Sequence, residues 1–164
     1  IVALAVKSDG GPALYKQKRL TKDGKVFELY KFRSMYTDAE ADGPKWADKE
    51  DDRCTKVGCF LRKTRLDELP QFWNILKGEM SLVGPRPERP FFYDEFEEYI
   101  HGFHNRLVVR PGLTGWAQVS GGYDLKPEEK IVYDMEYIRN MSVRMDLRCL
   151  VRTVRLVFTH EGAR

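Results

Sequence analysis

The sequence predicts an α+β domain that is mostly helical, with one small β-hairpin and amphipathic helices suited to an interface. Two runs rich in strand-forming residues, 13–19 and 25–33, flank the turn-forming tetrapeptide TKDG at 21–24, a pattern typical of a hairpin. After residue 54, helical periodicity alternates with glycine and proline. Because the chain shows no repeat or domain-sized linker, we expect one domain over residues 1–164.

Five longer helices are predicted after residue 54. In chain order they cover residues 55–63, 66–77, 90–103, 127–140 and 142–160. In the second of them, Asp67 is placed at the N-cap, Pro70 is tolerated in the first turn, and Gly78 stops the helix. The fourth begins with Pro-Glu-Glu, which suits a helix N-terminus.

The other segments are predicted to be irregular. Residues 35–52 are polar and predict a surface excursion with a short helix near 37–41. The proline-rich stretch 81–90 and the glycine-rich stretch 110–122 predict loops. The apolar run 1–6 is either the end of a longer hydrophobic segment or a first strand. No run reaches 18 apolar residues, so no segment of the sequence is expected to span a bilayer.

Charge is unevenly distributed along a chain whose net charge is only +3. Residues 38–52 hold seven carboxylates and two lysines, whereas residues 53–66 hold five cations and no carboxylate. This pattern argues against a nucleic-acid binder, which is basic throughout its binding face, and favours a site that handles an anion and a cation together. Three cysteines without CxxC spacing indicate reduced thiols in a cytosolic setting.

Asp67 and Glu68 form the strongest candidate for chemistry. They lie at a predicted helix start, after Arg62, Lys63 and Arg65. A helix N-terminus and nearby cations favour ionised carboxylates, so we expect a depressed pKa that keeps Asp67 available as a nucleophile or metal ligand. Glu68 can then hold Mg²⁺ while Asp67 attacks. The alternative is structural, with Asp67 capping the helix and Glu68 complementing its dipole.

Several cations are candidates for binding phosphate. Lys31 and Arg33 alternate onto one strand face, and Arg86 lies between two prolines that stiffen its loop. Arg106 and Arg110 flank a glycine-rich stretch that could approach a nucleotide. Each also has a structural interpretation as a solvated or ion-paired side chain.

Trp116 and the last helix each have two interpretations. Trp116 could stack on a base or belong to the core. In helix 142–160, four arginines (144, 148, 152 and 155) follow one face and apolar residues (147, 150, 151, 154 and 158) follow another. Such a helix can lie on an anionic lipid surface or pack against the core with a solvated polar face.

Taken together, these motifs resemble the bacterial sugar transferase family, the monotopic phosphoglycosyl transferases of polyprenol-phosphate pathways. The resemblance runs from about residue 10 to 162. It is carried by GP at 11–12, QKR at 17–19, KFRSM at 31–35, VG at 57–58, LRKT at 61–64, LDELPQ at 66–71, NILKGEMSLVGPRP at 74–87, RPGLTGWAQ at 110–118, YDMEY at 133–137 and SVRMD at 142–146. The family carries an N-terminal hydrophobic helix that dips into the membrane, and we expect the run 1–6 to be all of that helix that this sequence contains.

The resemblance implies an enzyme that transfers a sugar 1-phosphate from a UDP-sugar to undecaprenyl phosphate at the cytoplasmic face of the bacterial inner membrane. This is the first membrane step of exopolysaccharide, O-antigen or glycoconjugate biosynthesis. It implies that Asp67 forms a covalent phosphosugar intermediate and releases UMP, and that Glu68 holds Mg²⁺. The predicted phosphate-binding or supporting residues are Lys31, Arg33, Arg62, Arg86, Arg106, Arg110 and Asp134. The alternative is an inactive anion-binding module that docks on membranes; the sugar and oligomeric state stay open.

Overall fold

The computed structural model describes residues 2–8, 10–39, 52–121 and 125–159, and their fold is α+β and mostly helical, as predicted. The helices are α1 (Val2–Lys7), α2 (Lys56–Thr64), α3 (Gln71–Leu76), α4 (Pro90–Glu97), α5 (Trp116–Ser120), α6 (Pro127–Arg139) and α7 (Val143–Thr159). The strands are β1 (Leu14–Leu20), β2 (Val26–Phe32), β3 (Ser81–Val83) and β4 (Gly112–Thr114). Short 3-10 helices cover Lys22–Gly24, Leu66–Glu68 and Phe103–Val108.

The predicted hairpin is confirmed. β1 and β2 are antiparallel, with a register that runs from Leu14 opposite Phe32 to Leu20 opposite Val26. Asn74 of α3, which is fully buried, binds the outer edge of β2. Its amide donates to Glu28 O at 2.7 Å and accepts from Tyr30 N at 3.1 Å, as a neighbouring strand would. This contact fixes the strand directly before Lys31.

The predicted helix over 66–77 is wrong in one respect, because the chain forms two elements there. Arg65 adopts a left-handed conformation (φ 57°) that ends α2, and a 3-10 turn then carries Asp67 and Glu68. α3 begins only after Pro70. Asp67 is therefore inside the 3-10 turn and is not a helix cap. Gly78 has a φ of 76° and stops α3 as expected.

The two predicted loops contain regular structure. β3 and β4 pair in parallel, with Ser81 opposite Gly112 and Val83 opposite Thr114. The backbones approach so closely that a Cβ on Gly112 would lie 2.1 Å from the nitrogen of Gly84. These glycines thus allow the two backbones to approach each other closely. α5 follows directly after β4.

The other predicted helices are confirmed with shifted ends. α2, α6 and α7 match their predicted ranges within two residues, whereas the helix predicted to end at 103 stops at Glu97. The apolar run at the start forms α1, so its interpretation as a strand is wrong. The helix predicted near 37–41 lies partly outside the described residues. None of the described helices has the length and hydropathy needed to cross a membrane.

Two apolar clusters flank the segment that joins β3 to α4. One holds Leu20, Phe92, Tyr93, Phe96 and Phe103; the other holds Val83, Trp116, Tyr137, Met145 and Cys149. Trp116 therefore belongs to the core, where its indole N–H donates to Glu136 at 2.8 Å. The first cluster joins β1 to α4, and the second joins β3 to α5, α6 and α7.

Candidate active site

Asp67 and Glu68 lie together beside two cations, and both side chains are more than nine-tenths buried. Lys31, at the end of β2, places its Nζ 3.1 Å from Glu68 Oε1 and 3.8 Å from Asp67 Oδ2. Arg86 donates from Nη2 to the same Glu68 oxygen. The left-handed turn at Arg65 and the edge contact of Asn74 bring these groups together from separate elements.

The two carboxyl groups have opposite pKa shifts. Burial opposes ionisation of Glu68, but the charges of Arg86 and Lys31 outweigh it and hold the pKa of Glu68 well below its ordinary value. Burial raises the pKa of Asp67; Lys31 opposes this rise, whereas the Glu68 charge adds to it. The expected depressed pKa for Asp67 is therefore wrong, because desolvation exceeds the effect of the nearby cations.

The pair lines a cavity of about 580 Å³. The described residues of its lining include nine cations: Arg19, Lys31, Arg33, Arg53, Arg62, Arg65, Arg86, Arg89 and Lys130. They also include four carboxylates: Asp67, Glu68, Glu88 and Asp134. Nine minus four leaves an excess of five positive charges, which concentrates anions in a cleft with low-dielectric walls.

Three of the predicted phosphate-binding cations meet at the acidic pair. Lys31 and Arg86 contact Glu68 directly. Arg62, in the last turn of α2, lines the same cavity and bears electrostatically on Asp67, while its Nη1 lies 2.8 Å from Cys54 Sγ. The structure therefore brings together cations from β2, α2 and the loop after β3.

Arg33 lines the cavity, but its guanidinium binds backbone carbonyls instead of forming the predicted phosphate clamp with Lys31. Its three nitrogens donate to the carbonyls of Pro12 (2.8 Å), Met35 (3.2 Å) and Val6 (2.9 Å). Arg33 thus ties α1 and two loops to the hairpin. Its charge still contributes to the field of the cavity, at a side chain that is only 6% exposed.

Arg106 and Arg110 are not among the described residues that line the cavity. Arg110 is exposed to solvent before β4. Arg106 is 1% exposed, and its Nε donates to Asp134 Oδ2 at 2.7 Å. Asp134, on α6, does reach the cavity lining. The structure therefore does not place either arginine where a ligand in this cavity can contact it.

Sequence reasoning missed a second charged cluster in the cavity wall. Glu88 is buried and lies 3.1 Å from Arg19 Nη1 and 3.2 Å from Lys130 Nζ. Burial opposes its ionisation, but Lys130 and Arg19 lower the pKa of Glu88 to about 2. The cluster joins β1, the loop after β3 and α6. The sequence feature that could have indicated this cluster is Glu88 itself, which lies two residues after Arg86 in the same proline-rich stretch.

Polar side chains on the cavity face of β1 were also missed. Gln17 donates from Nε2 to the Tyr15 hydroxyl at 3.0 Å, and Arg19 donates to Gln17 Oε1. Strand alternation places all three side chains on one face. Gln118 also lines the cavity, and its buried Oε1 has no hydrogen-bond partner among the described residues.

The carboxylate pair suits Mg²⁺ held jointly with a substrate. The described residues contain no group of three or more side chains able to hold a metal ion by themselves. Mg²⁺ is commonly held by one or two carboxylates together with substrate phosphates and waters. Asp67 and Glu68 supply such oxygens in a cavity that attracts phosphates, so the donor set fits that ion.

Comparison with known proteins shows similarity to one family of sugar transferases along nearly the whole chain. Residues 1–160 match the model of a family described as bacterial sugar transferase. The chain is 45% identical over 157 residues to the UDP-N-acetylgalactosamine-undecaprenyl-phosphate N-acetylgalactosaminephosphotransferase of Aeromonas hydrophila, covering 94% of this chain and 37% of that protein.

Two further relatives differ in the sugar that their names specify. The UDP-glucose:undecaprenyl-phosphate glucose-1-phosphate transferase of Escherichia coli is 43% identical, covering 99% of this chain and 36% of that protein. The undecaprenyl-phosphate galactose phosphotransferase of Salmonella typhimurium is 41% identical, covering 96% and 36%. The chain thus spans little more than a third of the length of these relatives.

Proposed function

Because the chain belongs to the bacterial sugar transferase family, we propose that it transfers a sugar 1-phosphate from a UDP-sugar to undecaprenyl phosphate. The observation that carries this proposal is the buried Asp67–Glu68 pair in the wall of a cavity with five excess positive charges. A diphosphate donor and a lipid phosphate are both anions that such a cavity attracts. The names of the relatives supply the substrate class.

In the proposed first step, an Asp67 carboxylate oxygen attacks the phosphorus that bears the sugar. A bond forms between that oxygen and phosphorus, the bond to the UMP oxygen breaks, and UMP leaves with the electron pair. In the second step, a phosphate oxygen of undecaprenyl phosphate attacks the same phosphorus and releases the Asp67 carboxylate. Covalent catalysis of this kind divides one transfer into two displacements at a single site.

The cations act by positioning and by neutralising charge, which dominate catalysis of phosphoryl transfer. Lys31 and Arg86 lie on the Glu68 side of the pair, and Arg62 approaches from α2. We assign these three side chains to the donor phosphates. Mg²⁺, held by Glu68 and the donor, would supply further neutralisation of the diphosphate charge.

A membrane surface is the proposed location, because α7 has three distinct faces. At about 100° per residue, Met145 and Cys149 define the buried face. Next to it lies an exposed apolar stripe formed by Val143, Leu147, Val151 and Val154. The four arginines of the helix form a third stripe, which borders the exposed apolar stripe on its other side. This arrangement, with exposed apolar residues beside cations, suits the interface of an anionic membrane.

A second exposed apolar surface lies on and just before α3. Leu69, Phe72, Trp73 and Leu76 are between 45% and 79% exposed, which is unusual for four large apolar side chains within eight residues. Lys77, at the end of this helix, is also exposed. This surface follows directly after the acidic pair in the chain, which is consistent with an acceptor that stays in the bilayer.

The proposal is tested by measuring UMP release and the mass of the intact protein. The full-length protein in membrane nanodiscs is incubated with Mg²⁺ and each of several UDP-sugars, without acceptor. We expect about one UMP per protein for the correct donor, and a protein mass increased by one sugar phosphate. Addition of undecaprenyl phosphate should remove the adduct and start turnover. Donor binding without UMP release from any UDP-sugar would favour the inactive anion-binding module instead.

Membrane binding by α7 gives a separate prediction. Replacing Arg144, Arg148 and Arg155 with glutamine should weaken binding to anionic liposomes by roughly 10²-fold, since each cation near the surface contributes about 1 kcal/mol. Arg152 is left unchanged, because it lies over the Trp116 ring at 4.8 Å and contacts Ser120. Liposome sedimentation at two salt concentrations measures the effect.

The matched control removes the same charge elsewhere. Lys18, Lys22 and Lys25 are exposed on the hairpin, and their replacement by glutamine also removes three positive charges. We expect this variant to bind nearly as well as the unmodified protein. Equal losses in the two triple variants would show that only net charge matters and would contradict a specific role for α7.

A further inference from the structure

Residues 85–88, which we call the arginine arm, are held by an unusual series of hydrogen bonds. Each of their four consecutive carbonyls accepts one. The donors are Gly112 N to Pro85 O (2.9 Å), Arg106 Nη2 to Arg86 O (2.8 Å), Arg19 Nη1 to Pro87 O (3.0 Å) and Leu20 N to Glu88 O (3.2 Å). Two of the four donors are thus arginine side chains from outside the arm.

Arg106 is the more deeply buried of the two arginine donors, at 1% exposed. Its guanidinium carbon lies 4.7 Å from the centre of the Phe103 ring, and its Nε donates to Asp134. Its Nη1 lies 3.4 Å from the Tyr93 hydroxyl, and its Nη2 donates to the carbonyl of Arg86. A guanidinium can donate in several directions at once, whereas a lysine ammonium is a point charge on a flexible stem.

The contact with Arg86 connects Arg106 to the acidic pair. The backbone of Arg86 is held by Arg106, and the side chain of Arg86 contacts Glu68. An ion buried this deeply costs free energy unless it is paired, and Asp134 supplies the pairing charge. The unit formed by Asp134, Arg106 and Arg86 therefore extends from α6 to Glu68.

We infer that Arg106 is a positioning residue that holds Arg86 against Glu68 through the Arg86 carbonyl, with Asp134 as its counter-ion. This inference rests on the proposed function and deepens it. It assigns a role to Arg106 and Asp134 that requires no contact between Arg106 and the donor. Because Arg86 is one of the groups proposed to bind the donor diphosphate, loosening the arm weakens that binding.

A double-mutant cycle tests the inference without requiring turnover. UDP binding in the presence of Mg²⁺ is measured by calorimetry for the full-length protein, Arg106→Lys, Arg86→Lys and the double variant. Arg106→Lys should weaken UDP binding by about 10-fold to 100-fold, the range typical of groups that orient a ligand-binding residue. In the Arg86→Lys background the same change should have little further effect, because the residue through which it acts is already altered.

The rate of UMP release provides a second measurement. Arg86 is proposed to hold the donor diphosphate, so Arg106→Lys should raise the donor concentration needed for half-maximal UMP release more than it lowers the maximal rate. Asp134→Asn, which keeps the shape of the carboxyl group, should shift this half-maximal concentration in the same direction by less.

The controls separate this inference from the proposed function and from a general loss of stability. Arg139→Lys, at the exposed end of α6, should change neither UDP affinity nor the donor concentration needed for half-maximal UMP release. An equal loss of affinity from Arg106→Lys in both backgrounds would reduce Arg106 to a structural residue and overturn the inference, as would no loss at all. If Arg106→Lys does not fold, Asp134→Asn is carried through the same cycle. If the double-mutant cycle of UDP binding gives the expected result but no UDP-sugar leads to UMP release, the proposed function is overturned and the inference about Arg106 stands.

Discussion

Replacing Asp67 with asparagine is expected to abolish UMP release and adduct formation, by a factor on the order of 10³ or more, while making the protein more stable. Loss of the nucleophile accounts for the rate. The gain in stability follows from burial, which raises the pKa of Asp67 and makes its ionised form unfavourable in the folded state. If removal of the buried charge increases the free energy of unfolding by about 1 kcal/mol, Tm rises by about 2–4 °C in a domain of this size.

The sign of this effect depends on pH. Because the folded-state pKa of Asp67 is raised, its ionised form destabilises the fold above that pKa, and the cost is absent below the unfolded value of about 3.9. The stabilisation by Asp67→Asn should therefore appear at pH 7 and vanish in acid. Thermal unfolding at pH 7 and pH 3.5 measures it. An asparagine variant that releases UMP normally would refute the assignment of the nucleophile.

Replacing Glu68 with glutamine should have a similarly large effect on activity and the opposite effect on stability. We expect UMP release to fall by about 10²-fold to 10³-fold, since the proposed ligand for Mg²⁺, which is also the partner of two cations, is lost. Arg86 and Lys31 hold the pKa of Glu68 below its ordinary value, although burial opposes them. Its ionised form thus stabilises the fold above the unfolded pKa of about 4.3, and that stability disappears as pH falls through the folded pKa.

Titration with MgCl₂ and thermal unfolding at pH 7 measure this prediction. The glutamine variant should need more Mg²⁺ for half-maximal UMP release and should have a lower Tm, because Lys31 and Arg86 are left beside a neutral side chain. Glu95→Gln, at an exposed position of α4, is the matched control and should change neither. An unchanged Mg²⁺ requirement would contradict the metal-binding role of Glu68.

Local patterns were sufficient to predict much of the fold. The hairpin and helices α2, α6 and α7 follow from turn residues, caps and periodicity, all of which act over a few residues. The pairing of β3 with β4 could not be predicted in this way, because Ser81 and Gly112 are far apart in the chain and each strand has three residues. The separation of the 3-10 turn at 66–68 from α3 could not be predicted either. The left-handed conformation of Arg65, which precedes this turn, has no distinctive local sequence pattern.

The site was predictable in its residue types and less so in their roles. The acidic pair and three nearby cations, Lys31, Arg62 and Arg86, could be predicted from sequence motifs whose residue types indicate their chemistry. Whether an arginine faces a ligand or a backbone carbonyl depends on tertiary contacts, which is why Arg33 and Arg106 differ from Arg62. The direction of the Asp67 pKa shift likewise depends on burial, which the charge pattern of residues 53–66 could not reveal.

The hydrogen-bonded backbone of residues 85–88 has a consequence for how this domain could diversify. A segment secured at every carbonyl has little freedom to adapt its shape to different donors. Under the proposed function, discrimination between donor sugars would then reside in individual side chains around the cavity, such as Tyr15 and Gln118, which are not among the donors to the carbonyls of residues 85–88. Donor preference and bond-making chemistry would be separable, so that one could be re-engineered while the other is kept.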